Sequence, residues 1–196
     1  RASLASEEGR WAVLLRRRWR RPLSIGVAVA VLSVTVGINA VILYGPAILI
    51  RGAGDSLDAA LVGSILMGAV NLVFSILAMA SVDRIGRKPL LLIGLSGMLA
   101  SMAVLGQTFG RGDRFPVLAS ILVYVAFYAV SLGPVTWILV SEIFPTRIRG
   151  LAAATCVVAM YLADFAVTFT FPSMMEALGD LGFHVFAAVC GLGLLF

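Results

Sequence analysis

Six apolar runs, separated by short charged breaks, set the pattern of the chain. They cover roughly Leu23–Ile50, Ala59–Val82, Pro89–Thr108, Phe115–Phe144, Leu151–Met175 and Leu181–Phe196. A helix rises about 1.5 Å per residue, and a hydrocarbon core is about 30 Å thick. The first five runs are therefore long enough to span a bilayer. The sixth run is shorter, and the chain stops inside it at Phe196; it begins at Arg1 rather than Met. Both ends look cut, so the expectation is a piece of a longer protein. Long apolar runs with charged breaks predict helices rather than barrel strands, because hydrocarbon offers the backbone no hydrogen-bonding partner.

Ahead of the first run, residues 1–22 are polar and then strongly basic. Trp11, Val13, Leu14, Leu15 and Trp19 interleave with Arg16, Arg17, Arg18, Arg20 and Arg21. That mixture predicts a basic amphipathic segment lying on anionic headgroups, with the bundle occupying 23–196.

Composition agrees with the bilayer reading. The chain has 196 residues, of which 61% are hydrophobic and 13% charged. Water-facing domains carry far more charge. A net charge of +5 taken alone would suit nucleic acid, but its placement argues for a membrane surface instead. One side holds Arg1, Arg10, Arg16, Arg17, Arg18, Arg20, Arg21, Arg84, Arg87, Lys88, Arg147 and Arg149; the other holds Arg51, Arg111 and Arg114. The positive-inside rule then puts the start of this chain in the cytoplasm. Cys156 and Cys190 lie in apolar runs and form no metal or disulfide pattern, so they read as small buried residues. His184, at the start of the last run, reads as an interfacial residue.

Polar residues inside apolar runs carry the candidate chemistry, because hydrocarbon penalises them. Asn39, Asn71, Glu142 and Asp164 stand out. Gly37 and Pro46 interrupt the first run, and Gly133 and Pro134 the fourth. Such breaks fit either a packing kink or a helix that lines a polar cavity. Two charged stretches flank the runs. Asp83-Arg84-Ile85-Gly86-Arg87-Lys88-Pro89 is a tight connection, with Gly86 supplying backbone freedom and Pro89 suiting a first helical turn. Glu142 and Arg149 bracket the second stretch. Asp83, Arg84, Arg87, Glu142 and Arg149 could form an ion-pair network that holds one side shut. Tyr161, Asp164 and Thr168 share one helical face. A lone carboxyl at that depth can carry a proton or select a solute; it can equally face a wet cavity or bond a neighbouring helix. No nucleophile–base pair is evident, which argues against a membrane enzyme.

Three motifs in order carry a resemblance. Asp83-Arg84-Ile85-Gly86-Arg87-Lys88-Pro89-Leu90 resembles the loop motif of the major facilitator superfamily. Gly133-Pro134-Val135-Thr136-Trp137, running into Ser141-Glu142-Ile143-Phe144-Pro145 and Arg149-Gly150, resembles its sugar porter family. Gly37-Ile38-Asn39-Ala40-Val41 with Tyr44 is similar to that family's seventh helix. The chain from Arg16 onward resembles the second six-helix half, of the bacterial xylose–proton symporter type.

The resemblance implies an all-α membrane protein: a six-transmembrane-helix bundle, half of a twelve-helix major facilitator fold. Its partner would be the missing N-terminal six-helix half. It implies a secondary carrier for a sugar or polyol, working by alternating access and coupled to protons, in a bacterial inner membrane. Asn39, Asn71, Trp137, Tyr161, Ser33 and Tyr44 fall on substrate-binding positions. Asp83, Arg84, Arg87, Glu142 and Arg149 fall on the cytoplasmic gating network; Asp164, a departure from the family pattern, is a possible coupling site by its own chemistry rather than by the resemblance. No cofactor or metal is expected. Ser33 and Val34 replace the family's paired glutamines, Leu43 one of its paired tyrosines, Met160 and Tyr161 its Gln-Trp, and Asp164 an asparagine. The cavity should be less polar on this side. A carrier for a less polar solute, or a transporter-like solute sensor, are the alternative readings.

Overall fold

A computed structural model describes residues 17–196 apart from 55 and 112. Among the described residues the fold is wholly helical. The elements are α1 (Arg17–Thr35), α2 (Ile38–Leu43), α3 (Gly45–Ala53), α4 (Leu57–Ile85), α5 (Arg87–Thr108), α6 (Arg114–Val130), α7 (Leu132–Ile143), α8 (Thr146–Leu178) and α9 (Leu181–Leu195). Five spans are long and apolar enough to cross a membrane: Trp19–Leu43, Leu57–Val82, Arg87–Thr108, Arg114–Ile143 and Ile148–Leu178. α9 is a shorter apolar helix. The basic segment predicted at 1–22 lies outside the described residues up to position 16. From Arg17 onward α1 runs through Pro22 without interruption, so no break marks a boundary at 22.

Two spans are broken where proline or glycine stands. The first is divided into α1, α2 and α3. Gly37 takes φ +93°, and a Cβ there would sit 2.6 Å from the Phe186 ring. Only glycine meets both demands cheaply. The second interruption falls at Tyr44, ahead of Pro46, whose missing N–H is harmless in the first turn of α3. In the fourth span the break falls at Ser131, with φ −111° and ψ −91°, rather than at Gly133-Pro134. Pro134 has no N–H for the carbonyl four residues back, and its ring disfavours helical backbone just before it. The chain therefore unwinds upstream of the proline.

Two apolar clusters hold the bundle together. The larger joins α2, α3, α5, α6 and α9 through residues such as Met98, Met102, Ile121, Tyr124 and Phe183. The smaller joins α1, α7 and α8 through Val34, Val140, Phe144, Cys156 and Met160. Close approach of α5 to the fourth span depends on Gly94 and Gly97, which lie against Ser131 and Phe127. Both cysteines are buried. α4 and α8 are the least enclosed spans and present Leu61, Ile65, Leu72, Ile76, Leu162, Phe165 and Phe169 outward. Water would penalise that surface; lipid or a second bundle would not.

Candidate functional site

The break at Gly37 leaves the Val36 carbonyl outside regular helix. Tyr124 of α6, fully buried, donates its hydroxyl to Val36 O at 2.8 Å. That bond satisfies a backbone group that hydrocarbon could not. It also pins the start of α2. At the other end of α2, Tyr44 donates its hydroxyl to Thr168 O of α8 at 3.4 Å, and its ring stacks on Phe171 with centroids 5.1 Å apart. α2 is thus a one-and-a-half-turn helix held at both ends by other helices.

Between those two anchors stands Asn39, exposed, with Nδ2 2.9 Å from Asp164 Oδ1. Asp164, Thr168 and Phe171 lie on one face of α8, at i, i+4 and i+7, and face α2. Of the readings left open for Asp164, the geometry matches the one in which it bonds a neighbouring helix. The pair joins residues 125 apart in sequence. Tyr128 of α6 lies within electrostatic range of the same carboxylate. Beside Tyr44 lies a cavity of about 210 Å³, lined by Ile48, Arg51, Phe109, Phe171 and Glu176 among others.

The remaining expected solute contacts separate into two groups. Trp137 is 51% exposed and Tyr161 61% exposed, so both offer aromatic surface. Asn71 is half-buried on α4, and its Oδ1 accepts from Ser75 Oγ at 3.2 Å. Ser33 is a correction. It is 3% exposed, and its hydroxyl donates to Ala30 O at 2.7 Å within α1. A serine so placed has neither the reach nor the free hydrogen of a solute ligand. Its neighbour Val34 belongs to the smaller apolar cluster.

At the Arg87 end of the bundle the charged loops make, among the described residues, one salt bridge of the expected network. Arg87 Nη2 lies 2.5 Å from Glu142 Oε1, joining the first residue of α5 to the end of α7. Both side chains are close to half exposed. Arg149 donates Nε–H to Phe144 O at 3.3 Å, and so ties the start of α8 to the end of α7. Arg84 is exposed in the last turn of α4. The Asp83 side chain lies outside the described set.

Tyr124 was not singled out by the sequence, and Thr136 and Thr168 were given no hydrogen-bonding role there. Tyr124 seals the first break. The Thr136 and Thr168 hydroxyls are buried without a partner among the described residues. A tyrosine or threonine in an apolar run carries no local sign of such a role; only the break at Gly37 signalled that some donor was needed.

An all-helical bundle of membrane-length spans, two of them interrupted, with a polar seam where one interruption faces another helix, has the architecture of a membrane transport protein. Comparison with known proteins agrees. The family model described as Sugar (and other) transporter matches residues 1–196, and the chain belongs to that family. The D-xylose-proton symporter of Escherichia coli K12 is 46% identical over 151 residues, covering 76% of this chain and 30% of the symporter. The glucose facilitated diffusion protein of Zymomonas mobilis is 42% identical over 177 residues, covering 86% of this chain and 37% of that protein. A solved D-xylose-proton symporter superposes with a TM-score of 0.83 at 37% identity, over 100% of this chain and 46% of that one. The inward-open xylose transporter XylE from E. coli gives 0.80 at 36%, over 100% and 42%. This chain therefore spans less than half the length of these relatives.

Proposed function

We propose that this chain is a six-helix transmembrane bundle forming half of a twelve-helix carrier, and that the complete protein moves a sugar or related polyol across a bacterial inner membrane in symport with protons. The two relatives named for xylose and glucose support the solute class. The observation that carries the reading is Asn39. It is an exposed amide on a helix broken at both ends and hydrogen-bonded to a carboxylate on the facing span. Amides exchange hydrogen bonds with sugar hydroxyls, and exposed rings such as Trp137 and Tyr161 pack against sugar C–H faces.

Transport then proceeds by alternating access, with this bundle rocking against the missing N-terminal half about a midplane site. The arginine and lysine distribution places the start of the chain, and the Arg87–Glu142 pair, on the cytoplasmic side. There the pair acts as a latch that closes the inner face. Asp164, a carboxyl at membrane depth, contributes to proton coupling.

The deciding experiment is an uptake screen with the complete protein in proteoliposomes. It covers pentoses, hexoses, polyols and inositol at two pH values. Uptake of one of these classes, steeper with an inward proton gradient, is the expected result; uptake of none would overturn the sugar reading. Asp164→Asn should flatten the pH dependence, and a wild-type profile in that variant would remove Asp164 from coupling.

A further inference from the structure

We propose that Asp164 sets which way the Asn39 amide faces, so that the binding site demands a hydrogen-bond donor from the solute at that point. The idea rests on the carrier reading above and makes one part of it specific. An asparagine side chain offers an NH2 donor at one end and a carbonyl acceptor at the other. A sugar hydroxyl donates and accepts equally well. An unrestrained amide therefore does not distinguish a hydroxyl from a group that only accepts.

Here the amide is restrained on two counts. First, α2 cannot slide along α8. Its start is pinned by the Tyr124 bond to Val36 O, and its end by the Tyr44 bond to Thr168 O. Asn39 lies between these anchors. Second, a carboxylate without its proton only accepts, so the restraint holds in the deprotonated state of the carrier. Asn39 Nδ2 lies 2.9 Å from Asp164 Oδ1, and turning the amide over would set carbonyl oxygen against carboxylate oxygen. Charge-assisted bonds of this kind are stronger than neutral ones, so one orientation dominates. Asn39 Oδ1 is left on an exposed residue, with no hydrogen-bond partner among the described residues. It is an oriented acceptor waiting for an O–H.

The test uses the purified complete carrier and equilibrium competition binding. The probes are D-xylose and D-glucose, with every monodeoxy and monodeoxyfluoro derivative of each. Fluorine replaces a hydroxyl with little change in size and cannot donate. At one ring position the deoxy and the fluoro derivatives should both weaken binding about tenfold, the loss expected for one hydrogen bond. In Asp164→Asn the facing group can donate as well as accept, so the Asn39 amide can turn and offer its NH2. The fluoro derivative should then recover part of its loss, since C–F accepts only weakly, while the deoxy derivative stays as weak as in the wild type.

The wild-type pattern is itself decisive, whether or not the variant inserts properly. If fluoro derivatives bind like the parent sugar at every position, the oriented acceptor does not exist. If the pattern is present but Asp164→Asn leaves it unchanged, Asp164 does not set it. If neither parent sugar binds the wild type, this proposal falls, while the carrier reading falls only if the uptake screen above also finds no solute; the two failures are therefore distinct.

Discussion

At Val36 the first span leaves a carbonyl that no residue of its own helix bonds, and the donor comes from elsewhere: the buried hydroxyl of Tyr124 on α6. At Ser131 the hydrogen bonds around the break stay within the fourth span. Ser131 Oγ donates to Phe127 O at 2.7 Å, and its N–H reaches both Phe127 O and Tyr128 O. The difference shows in what surrounds each break. A break held by a neighbour keeps its flanking helix short and turns Asn39 toward α8. At the second break the bonds are local to the span, and α5 packs against it through Gly94. One interruption builds a site; the other builds a joint.

Substitutions can test this contrast, and the largest effect belongs to the joint. A Cβ on Gly94 would collide with both Oγ and Cβ of Ser131. The hydroxyl can rotate away, but the Cβ cannot. Gly94→Ala should cost about 3 kcal/mol, the upper end of ordinary overpacking. Thermal unfolding of the complete carrier would show it as a lower midpoint, partly restored by Ser131→Gly.

Tyr124→Phe comes next. It keeps the packing and strands the Val36 carbonyl, which should cost about 2 kcal/mol. Because that bond also pins α2, solute affinity should fall along with stability. Unchanged binding would mean that the first break is not held by Tyr124.

Ser131→Ala should cost less, about 1 kcal/mol, because the Ser131 N–H still serves the Phe127 carbonyl. If its midpoint dropped as far as that of Tyr124→Phe, the two breaks would not differ in the way described. Glu142→Gln should be smallest in stability, below about 1 kcal/mol, since the pair with Arg87 is half exposed. Its effect should be functional. Cysteine accessibility from the cytoplasmic side ought to rise while insertion stays normal, and wild-type accessibility would dismiss the latch.

Hydropathy and charge alone determined a good deal about this protein. They placed five spans within a few residues, the breaks near Gly37 and Pro134, and the charged connections, because each of these depends on local chemistry: transfer from water, the freedom of a glycine, the missing N–H of a proline. The Asp164 carboxyl stood out by the same logic. Its partner did not. Which side chain meets Asp164 depends on how α8 is rotated against a helix 125 residues away, and no local rule sets that rotation. Ser33 shows the reverse error, since a polar residue at a promising position turned inward once α1 packed on α7 and α8. Tertiary packing alone decided that Tyr124 would complete the first break, that Arg87 would find Glu142, and that Asn39 would face a carboxylate. Each of these is a contact between spans, and hydrophobic burial, which drives the spans into hydrocarbon, has no direction that could choose it.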